Sequence, residues 1–261
     1  MRLLFVGDVI GKPGRRALAD LLPELIDQRR VDYTVVNVEN SAGGFGVTPE
    51  ILGSLDELAI DVFTSGNHIW DKKEGVELLA REPRLLRPAN YPSGNPGVGV
   101  HVGETAAGIP VATLNLEGQV FMKALGSPFH AADRLLAELP KRVKVIVVDF
   151  HAEATSEKQA MGFHLDGRVS AVVGTHTHVP TADARILPGG TALQTDVGMT
   201  GPYESVIGFR AEKVLKRFEL QTHVPFEVAK GDVRLAGALI DVDESSGRAR
   251  SIEPLLIPWS G

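Results

Sequence analysis

The 261-residue sequence contains no cysteine. This absence excludes a disulfide framework, a thiolate zinc site, an iron–sulfur cluster and a cysteine nucleophile. Any metal ion must therefore be held by histidine, carboxylate or amide side chains or by water, and the chain contains eight histidines.

Excess positive charge and long apolar runs are also missing. The formal net charge of −6 argues against a protein that binds nucleic acid through a basic face. No segment approaches the roughly 18 apolar residues of a membrane span, and the apolar run at residues 3–6 is too short for a secretion signal. Since 43% of the residues are hydrophobic, the chain can form a packed core. We expect a cytoplasmic protein that does not contact membranes.

Short apolar runs alternate with amphipathic stretches, which predicts an α/β fold with parallel strands. Helices are predicted at residues 13–28, 48–59, 74–81, 127–139 and 205–217, although Pro23 and Gly208 disfavour helix where they stand. The last forty residues favour an antiparallel hairpin that turns at 243–247. Since no convincing linker interrupts the chain, residues 1–261 are expected to form a single domain. Strands are predicted at residues 3–6, 33–38, 61–64, 98–102, 110–116, 143–149, 169–173, 193–195, 233–242 and 249–257.

Polar residues with metal-binding side chains follow five of the predicted strands. Ligands of α/β sheets bind outside the carboxyl ends of the strands, so these residues are expected to meet at one edge. Each of them alone is explained equally well as a turn former or a hydrogen-bonded structural residue. Their joint occurrence favours a metal site. The residues are Asp8, Glu39, Asn40, Asn67, His68, His151, His176 and His178.

The chemistry of this set suits two transition-metal ions. In an extended segment His176 and His178 would point to the same side, because side chains alternate along a strand. A carboxylate can bridge two ions, and such a pair clamps a phosphate and lowers the pKa of a bridging water. His68 stands beside the ligand candidate Asn67 and can protonate a leaving oxygen as a general acid.

The motifs Gly66-Asn67-His68 and His176-Thr177-His178, together with Asp8 and His151, resemble those of the calcineurin-like metallophosphoesterases. Two positions depart from that pattern: Ile10 replaces a histidine, and Glu39 replaces the usual bridging aspartate. These departures and the segments 7–15, 37–40, 115–122 and 195–202 resemble the YmdB-like branch, which is described as bacterial 2′,3′-cyclic-nucleotide 2′-phosphodiesterases. The resemblance covers residues 2–258 and implies a four-layer α/β/β/α sandwich.

The resemblance also implies a ligand set. Asp8, Glu39 and His178 would hold the first metal; Glu39 would bridge to the second, held also by Asn67, His151 and His176. Asn40 would be a weak ligand or a hydrogen-bond donor, and His68 would be the acid. Ile10 cannot ligate, so the first metal would keep an open position. Iron is the favoured ion, manganese and zinc are alternatives, and magnesium is less favoured.

The implied activity is hydrolysis of 2′,3′-cyclic nucleotides by attack of a metal-bound hydroxide on phosphorus, which gives a 3′-nucleotide. Broader phosphoesterase activity remains open. The alternatives are a phosphomonoesterase and a low-turnover regulatory protein that binds a nucleotide or phosphate. Self-association and RNA ends as substrates are further open points.

Substrate contacts are less well defined by the sequence. Lys12 and Arg15, near a helix start, can attract a phosphate, although a solvated helix start explains them equally well. Phe45, in a glycine-rich loop, can stack on a base or simply pack, and Asn40 is a further candidate. Asp149, Asp183 and Asp196 are candidates for orienting a ligand histidine. No P-loop or Gly-x-Ser-x-Gly motif is present.

Overall fold

Two six-stranded β-sheets form the centre of the protein, in a computed structural model that describes residues 1–261. The twelve strands are β1 Arg2–Val6, β2 Tyr33–Asn37, β3 Val62–Thr64, β4 Val100–Glu104, β5 Pro110–Glu117, β6 Val145–His151, β7 Ala171–Thr175, β8 Arg185–Ile186, β9 Ala192–Gln194, β10 Gly201–Pro202, β11 Val233–Val242 and β12 Ala249–Pro258. The first sheet has the order β10-β11-β1-β2-β3, with β12 also paired to β11, and the second has the order β4-β5-β6-β7-β9-β8.

Six helices and one 3-10 turn complete the fold. They are α1 Gly11–Arg29, α2 Pro49–Asp56, the 3-10 turn Asn67–Trp70, α3 Lys73–Leu79, α4 Pro128–Glu138, α5 Thr155–His164 and α6 Ala211–Leu220. None of these helices combines the length and the apolarity that a membrane span requires.

The layers follow from the alternation of side chains along the strands. In β1, Leu4 and Val6 pack with residues of α1 and α2 on the outside of the first sheet. Leu3 and Phe5, on the opposite face, pack against residues of the second sheet. A third apolar cluster lies between the second sheet and helices α4 and α5. The predicted four-layer α/β/β/α sandwich is therefore confirmed.

The parallel strands bring the candidate residues to one edge. Strands β1, β2 and β3 are parallel to one another, as are β5, β6, β7 and β9. Their carboxyl ends therefore carry the connections that contain the predicted metal ligands. The predicted antiparallel hairpin is β11 and β12.

The helices differ from the prediction at two places. The predicted helix 205–217 begins only at Ala211, because residues 205–210 form a tight turn in which Val206 and Phe209 pair. Gly208 has φ +98° there, a left-handed conformation that stops a helix. Helix α5 was missed, since its buried face mixes Met161 with polar side chains and lacks a regular apolar pattern. Helix α1, in contrast, continues through Pro23.

Candidate metal centre

The candidate ligands lie close to the ends of five parallel strands. Asp8 and Glu39 each stand two residues beyond a strand of the first sheet, and Asn67 begins the 3-10 turn after β3. His151 is the last residue of β6, and His176 directly follows β7. The two sheets therefore contribute to the same site from opposite sides.

His151 occupies the middle of the cluster and is fully buried. Its Nε2 lies 3.0 Å from Glu39 Oε1, 3.0 Å from Asn67 Oδ1 and 3.1 Å from His176 Nδ1. The ligand atoms of Glu39, His151 and His176 all lie within 4.8 Å of one another. Asp8 joins them through Oδ2, which accepts the backbone N–H of His176 at 3.2 Å. The structure thus brings together two carboxylates, one amide oxygen and two imidazoles.

His178 belongs to the same region but is held in a different way. Its Nδ1 lies 2.9 Å from the carbonyl oxygen of Ile207, to which it donates, so Nε2 is the nitrogen left for a metal. The extended geometry predicted for His176 and His178 was wrong, because both lie beyond β7 with φ values of +99° and +67°. A turn with two left-handed residues, and not strand alternation, places these two imidazoles.

The residue between the two histidines anchors that turn. Thr177 donates its backbone N–H and its hydroxyl to Asp196 Oδ2, at 3.1 and 2.8 Å. The same oxygen accepts from Lys158 Nζ at 2.7 Å, and both side chains of this ion pair are buried. Asp196 therefore acts on the histidines through the backbone of the turn.

A second hydrogen-bonded chain orients His151. Its Nδ1 lies 2.9 Å from Thr175 Oγ1, which donates to Asp149 Oδ1 at 2.7 Å, and Asn37 Nδ2 donates to the other Asp149 oxygen. Asp149 therefore reaches His151 through Thr175, a residue that the sequence did not single out. Asp183 bonds to Thr181 and to the backbone of the neighbouring β9 loop, and not to a histidine.

The electrostatics of the site favour a cation. Buried Asp8 Oδ1 and Asn40 Oδ1 have no hydrogen-bond partner, which is costly in a protein interior. Burial raises the pKa of Asp8 well above its ordinary value. Burial alone would raise the pKa of Glu39, but the charge and hydrogen bond of His151 have the larger effect. The pKa of Glu39 therefore lies below its usual range. Bound cations would compensate these buried oxygens.

The imidazoles respond to the same charges. Burial opposes protonation of His151, yet the carboxylates of Glu39 and Asp8 raise its pKa to about 9. Burial and the charge of His151 lower the pKa of His176 to about 3, so this imidazole is neutral and keeps a lone pair for coordination. Two carboxylates, amide oxygens and three imidazoles fit transition-metal ions, and metal binding would displace the proton from His151.

His68 lies at the rim of the cluster. Its backbone N–H donates to Glu39 Oε2 at 2.9 Å, and its Nδ1 lies 2.7 Å from Asp71 Oδ2. Asp71 was missed by the sequence reasoning, although its spacing of three residues on the same turn was a usable signal. This contact leaves Nε2 of His68 as the free nitrogen.

The residues predicted to contact substrate lie around the cluster, and two of them, Arg15 and Asn40, bond to backbone carbonyl groups. Arg15 donates to the carbonyl oxygen of Ser41 and is thereby engaged with the loop after β2. Lys12 is exposed on α1. Asn40 donates its amide to the carbonyl of Gly44 at 2.9 Å. The half-buried ring of Phe45 stacks on another phenylalanine and contacts the imidazole of His68 at 4.9 Å between centroids.

One further residue near the site was not recognised from the sequence. Glu117 ends β5 opposite His151, is fully buried, and accepts from Tyr91 Oη at 3.3 Å while its Oε2 has no partner. A carboxylate at the end of an apolar run was the signal for it, as for Glu39. Ile10, which stands where the metallophosphoesterase pattern has a histidine, is buried. It packs tightly against Gly208, since a Cβ added to that glycine would lie 2.6 Å from Ile10 Cδ1.

Known proteins are similar to this chain in sequence and in fold. A family model described as "YmdB-like protein" matches residues 4–255. The chain is 49% identical to the 2′,3′-cyclic-nucleotide 2′-phosphodiesterase of Bacillus subtilis, covering 98% of this chain and 97% of the relative.

Two solved structures superimpose closely. One is a hypothetical protein from Thermus thermophilus, with TM-score 0.93 and 44% identity over 99% of both chains. The other is a novel phosphatase from Mycoplasma pneumoniae, with TM-score 0.93 and 34% identity over 99% of this chain and 93% of that one. With a family match across nearly the whole length, the predicted resemblance is confirmed, and the chain belongs to the YmdB-like family.

Proposed function

We propose that this protein is a dinuclear metal-dependent phosphodiesterase that hydrolyses 2′,3′-cyclic nucleotides at the 2′ ester and releases 3′-nucleotides. The observation that carries the proposal is the buried cluster of Glu39, His151 and His176, with the unpaired oxygen of Asp8 beside it. The activity printed for the Bacillus subtilis relative supports the choice of substrate.

The chain offers two overlapping ligand groups. Asp8, Glu39 and His178 would hold one ion, and Glu39 would share the second with the remaining ligands, Asn67, His151 and His176. When bound, the ions would polarise the phosphate ester and lower the pKa of a bound water. Iron remains the favoured ion, with manganese and zinc as alternatives. Asn40 adds an amide group beside Glu39.

The protein's own side chains would position the histidines and protonate the leaving oxygen. Thr175 fixes the ring of His151, and the Glu39 carboxylate fixes the backbone of His68. Asp71 accepts from His68 Nδ1, so the acid form of His68 would be the imidazolium, whose Nε2–H gives its proton to the 2′-oxygen when the P–O2′ bond breaks. Water supplies the hydroxyl that forms the new bond to phosphorus. His68 is therefore the proposed general acid.

The test uses protein purified without metal and then supplied separately with Fe²⁺, Mn²⁺, Zn²⁺ or Mg²⁺. Turnover of 2′,3′-cAMP is followed by chromatography that separates 3′-AMP from 2′-AMP. We expect 3′-AMP, and a loss of about 100-fold or more in kcat/KM in Asn67→Ala and Glu39→Gln. The exposed His130→Ala is the matched control. Equal activity in the wild type and both variants would refute the proposal.

A phosphomonoesterase is the second candidate, because one structural relative is described as a phosphatase. The same ion pair serves both ester types. Comparing p-nitrophenyl phosphate with its bis ester under the same metal conditions separates the two. Near-zero metal content with undiminished nucleotide binding would favour the regulatory alternative.

A further inference from the structure

Each of the three histidines proposed as ligands turns one ring nitrogen to the cluster, while the other nitrogen contacts a defined partner. In His151, Nδ1 lies 2.9 Å from Thr175 Oγ1, and in His178, Nδ1 donates to the carbonyl oxygen of Ile207. His176 is turned the other way, because its Nδ1 faces His151 Nε2 at 3.1 Å. The nitrogen of His176 that points away from the cluster is therefore Nε2.

The partner of that nitrogen is Glu153. Its Oε2 lies 3.1 Å from His176 Nε2, and this is the one ion pair that the Glu153 carboxylate makes. The glutamate side chain is 48% exposed, whereas the histidine side chain is only 21% exposed. The contact thus lies at the rim of the metal centre and leads inward to a candidate ligand.

The neighbouring strands β6 and β7 bring the two residues together. His151 ends β6 and pairs with Thr175, the last residue of β7, so the chain beyond β6 runs beside the chain beyond β7. Glu153 lies two residues beyond His151, in the short connection to α5, and His176 directly follows Thr175. The parallel ladder therefore places the carboxylate and the imidazole side by side.

The chemistry of such a pair is specific. A histidine that binds a metal ion is neutral and carries a single ring proton. Metal-ligating histidines generally donate this proton to a carboxylate, a backbone carbonyl or water, which orients the ring and makes the ligand nitrogen more basic. With Glu153 as the acceptor, His176 carries its proton on Nε2 and keeps the lone pair on Nδ1, which faces Glu39 and His151.

We propose that Glu153 is a positioning residue of the metal centre, which accepts a hydrogen bond from Nε2–H of His176 and thereby presents Nδ1 to the metal ion. Glu153 acts through His176 and touches neither ion nor substrate. The inference rests on the proposed function in one respect, since His176 must be a metal ligand. Because exposed ion pairs contribute little to stability, its effect is expected on metal binding and not on folding.

The test is a calorimetric titration of metal-free protein with Zn²⁺. In Glu153→Ala we expect the dissociation constant of one Zn²⁺ equivalent to rise about 10-fold or more and that of the other to change less than about threefold, because His176 belongs to one of the two ligand groups. Glu153→Gln should recover most of the lost affinity, since its amide oxygen still accepts from Nε2–H.

The matched control is Glu104→Ala. Glu104 makes an ion pair with Arg142 at the same distance, 3.1 Å, and its side chain is 52% exposed. It pairs with Pro110, the first residue of β5, and therefore lies at the opposite edge of the same sheet. This variant should bind Zn²⁺ like the wild type, and thermal unfolding of all metal-free variants should coincide with that of the wild type.

A proton NMR signal reports on the hydrogen bond itself. In the Zn²⁺-loaded wild type, Nε2–H of His176 should give an imidazole signal that is protected from exchange with water, identified by its absence in His176→Gln. Glu153→Ala should shift this signal or remove it through exchange, whereas Glu153→Gln should retain it. A residue that only supported the fold would not produce this difference.

Two results would overturn the inference. Unchanged Zn²⁺ affinity and an unchanged His176 signal in Glu153→Ala would show that the contact does not position the ring. Equal losses in Glu153→Ala and Glu153→Gln would show that negative charge matters and the hydrogen bond does not. Either result leaves the proposed function standing if the wild type hydrolyses 2′,3′-cAMP. The expected variant effects without any turnover by the wild type would support the role of Glu153 and refute the phosphodiesterase activity.

Discussion

Replacing Gly66 by alanine should empty the metal centre without changing any predicted ligand. A Cβ added at Gly66 would lie 2.1 Å from His151 Cδ2 and 2.2 Å from its Nε2, well inside van der Waals contact. His151 has no exposed surface, and its ring is held by Thr175 at 2.9 Å. The imidazole therefore has to leave its position, and the ligand nitrogen moves with it.

The size of the effect follows from these contacts. Overpacking of a dense interior costs about 1–3 kcal/mol, and a buried hydrogen bond left without its partner costs about 1–3 kcal/mol more. We expect the free energy of unfolding of Gly66→Ala to fall by about 2–6 kcal/mol. Because His151 is a proposed ligand itself, metal affinity should fall by more than the 10–100-fold typical of a changed residue behind a ligand.

The assay measures metal content by elemental analysis after reconstitution, together with thermal unfolding and turnover of 2′,3′-cAMP. The matched control is Gly53→Ala on helix α2, where an added Cβ meets no atom within 4 Å. That variant should match the wild type in metal content and gain up to about 1 kcal/mol from helix propensity. Wild-type metal content and turnover in Gly66→Ala would show that His151 is not a required ligand.

Three further substitutions test the surroundings of the site. Thr175→Val removes the hydroxyl between Asp149 and His151, so metal affinity should fall about 10–100-fold by titration while the fold persists. Asp71→Asn removes the carboxylate partner of the proposed acid, and kcat should fall about tenfold or more with little change in KM. Ile10→His buries an imidazole beside Gly208, so denaturant unfolding should show a loss of about 1–3 kcal/mol and no gain in metal affinity.

Each of these three predictions has an outcome that would contradict it. Unchanged metal affinity in Thr175→Val would mean that the hydroxyl does not orient the imidazole. Thr191→Val, which removes a buried hydroxyl bonded to the backbone of Leu165 and Val169 and not to the site, controls for general destabilisation. An unaltered kcat in Asp71→Asn would remove the reason for assigning the proton to Nε2. Tighter metal binding in Ile10→His at wild-type stability would show that this position can ligate after all.

Much of the site could be predicted because its residues come shortly after the strands in the sequence. Parallel strands end at the same edge, so residues that follow apolar runs, such as Glu39 and His151, are brought together wherever those strands lie in a sheet. The same argument failed for His176 and His178, since strand alternation does not extend into a turn with positive φ values. Helix 205–217 failed for a related reason, because Gly208 supports a turn that local propensity does not reveal.

The sequence by itself determined the α/β class, the candidate ligands and the exclusion of thiolate chemistry. These depend on residue type and on short-range periodicity, which a chain carries before it folds. Only the tertiary structure decided which groups hold the candidate ligands in place: Thr175 behind His151, and Asp196 with Lys158 behind the histidine turn. Those partners are distant in sequence, and a hydrogen bond between distant residues depends on which strands pair and on how α5 packs against its sheet.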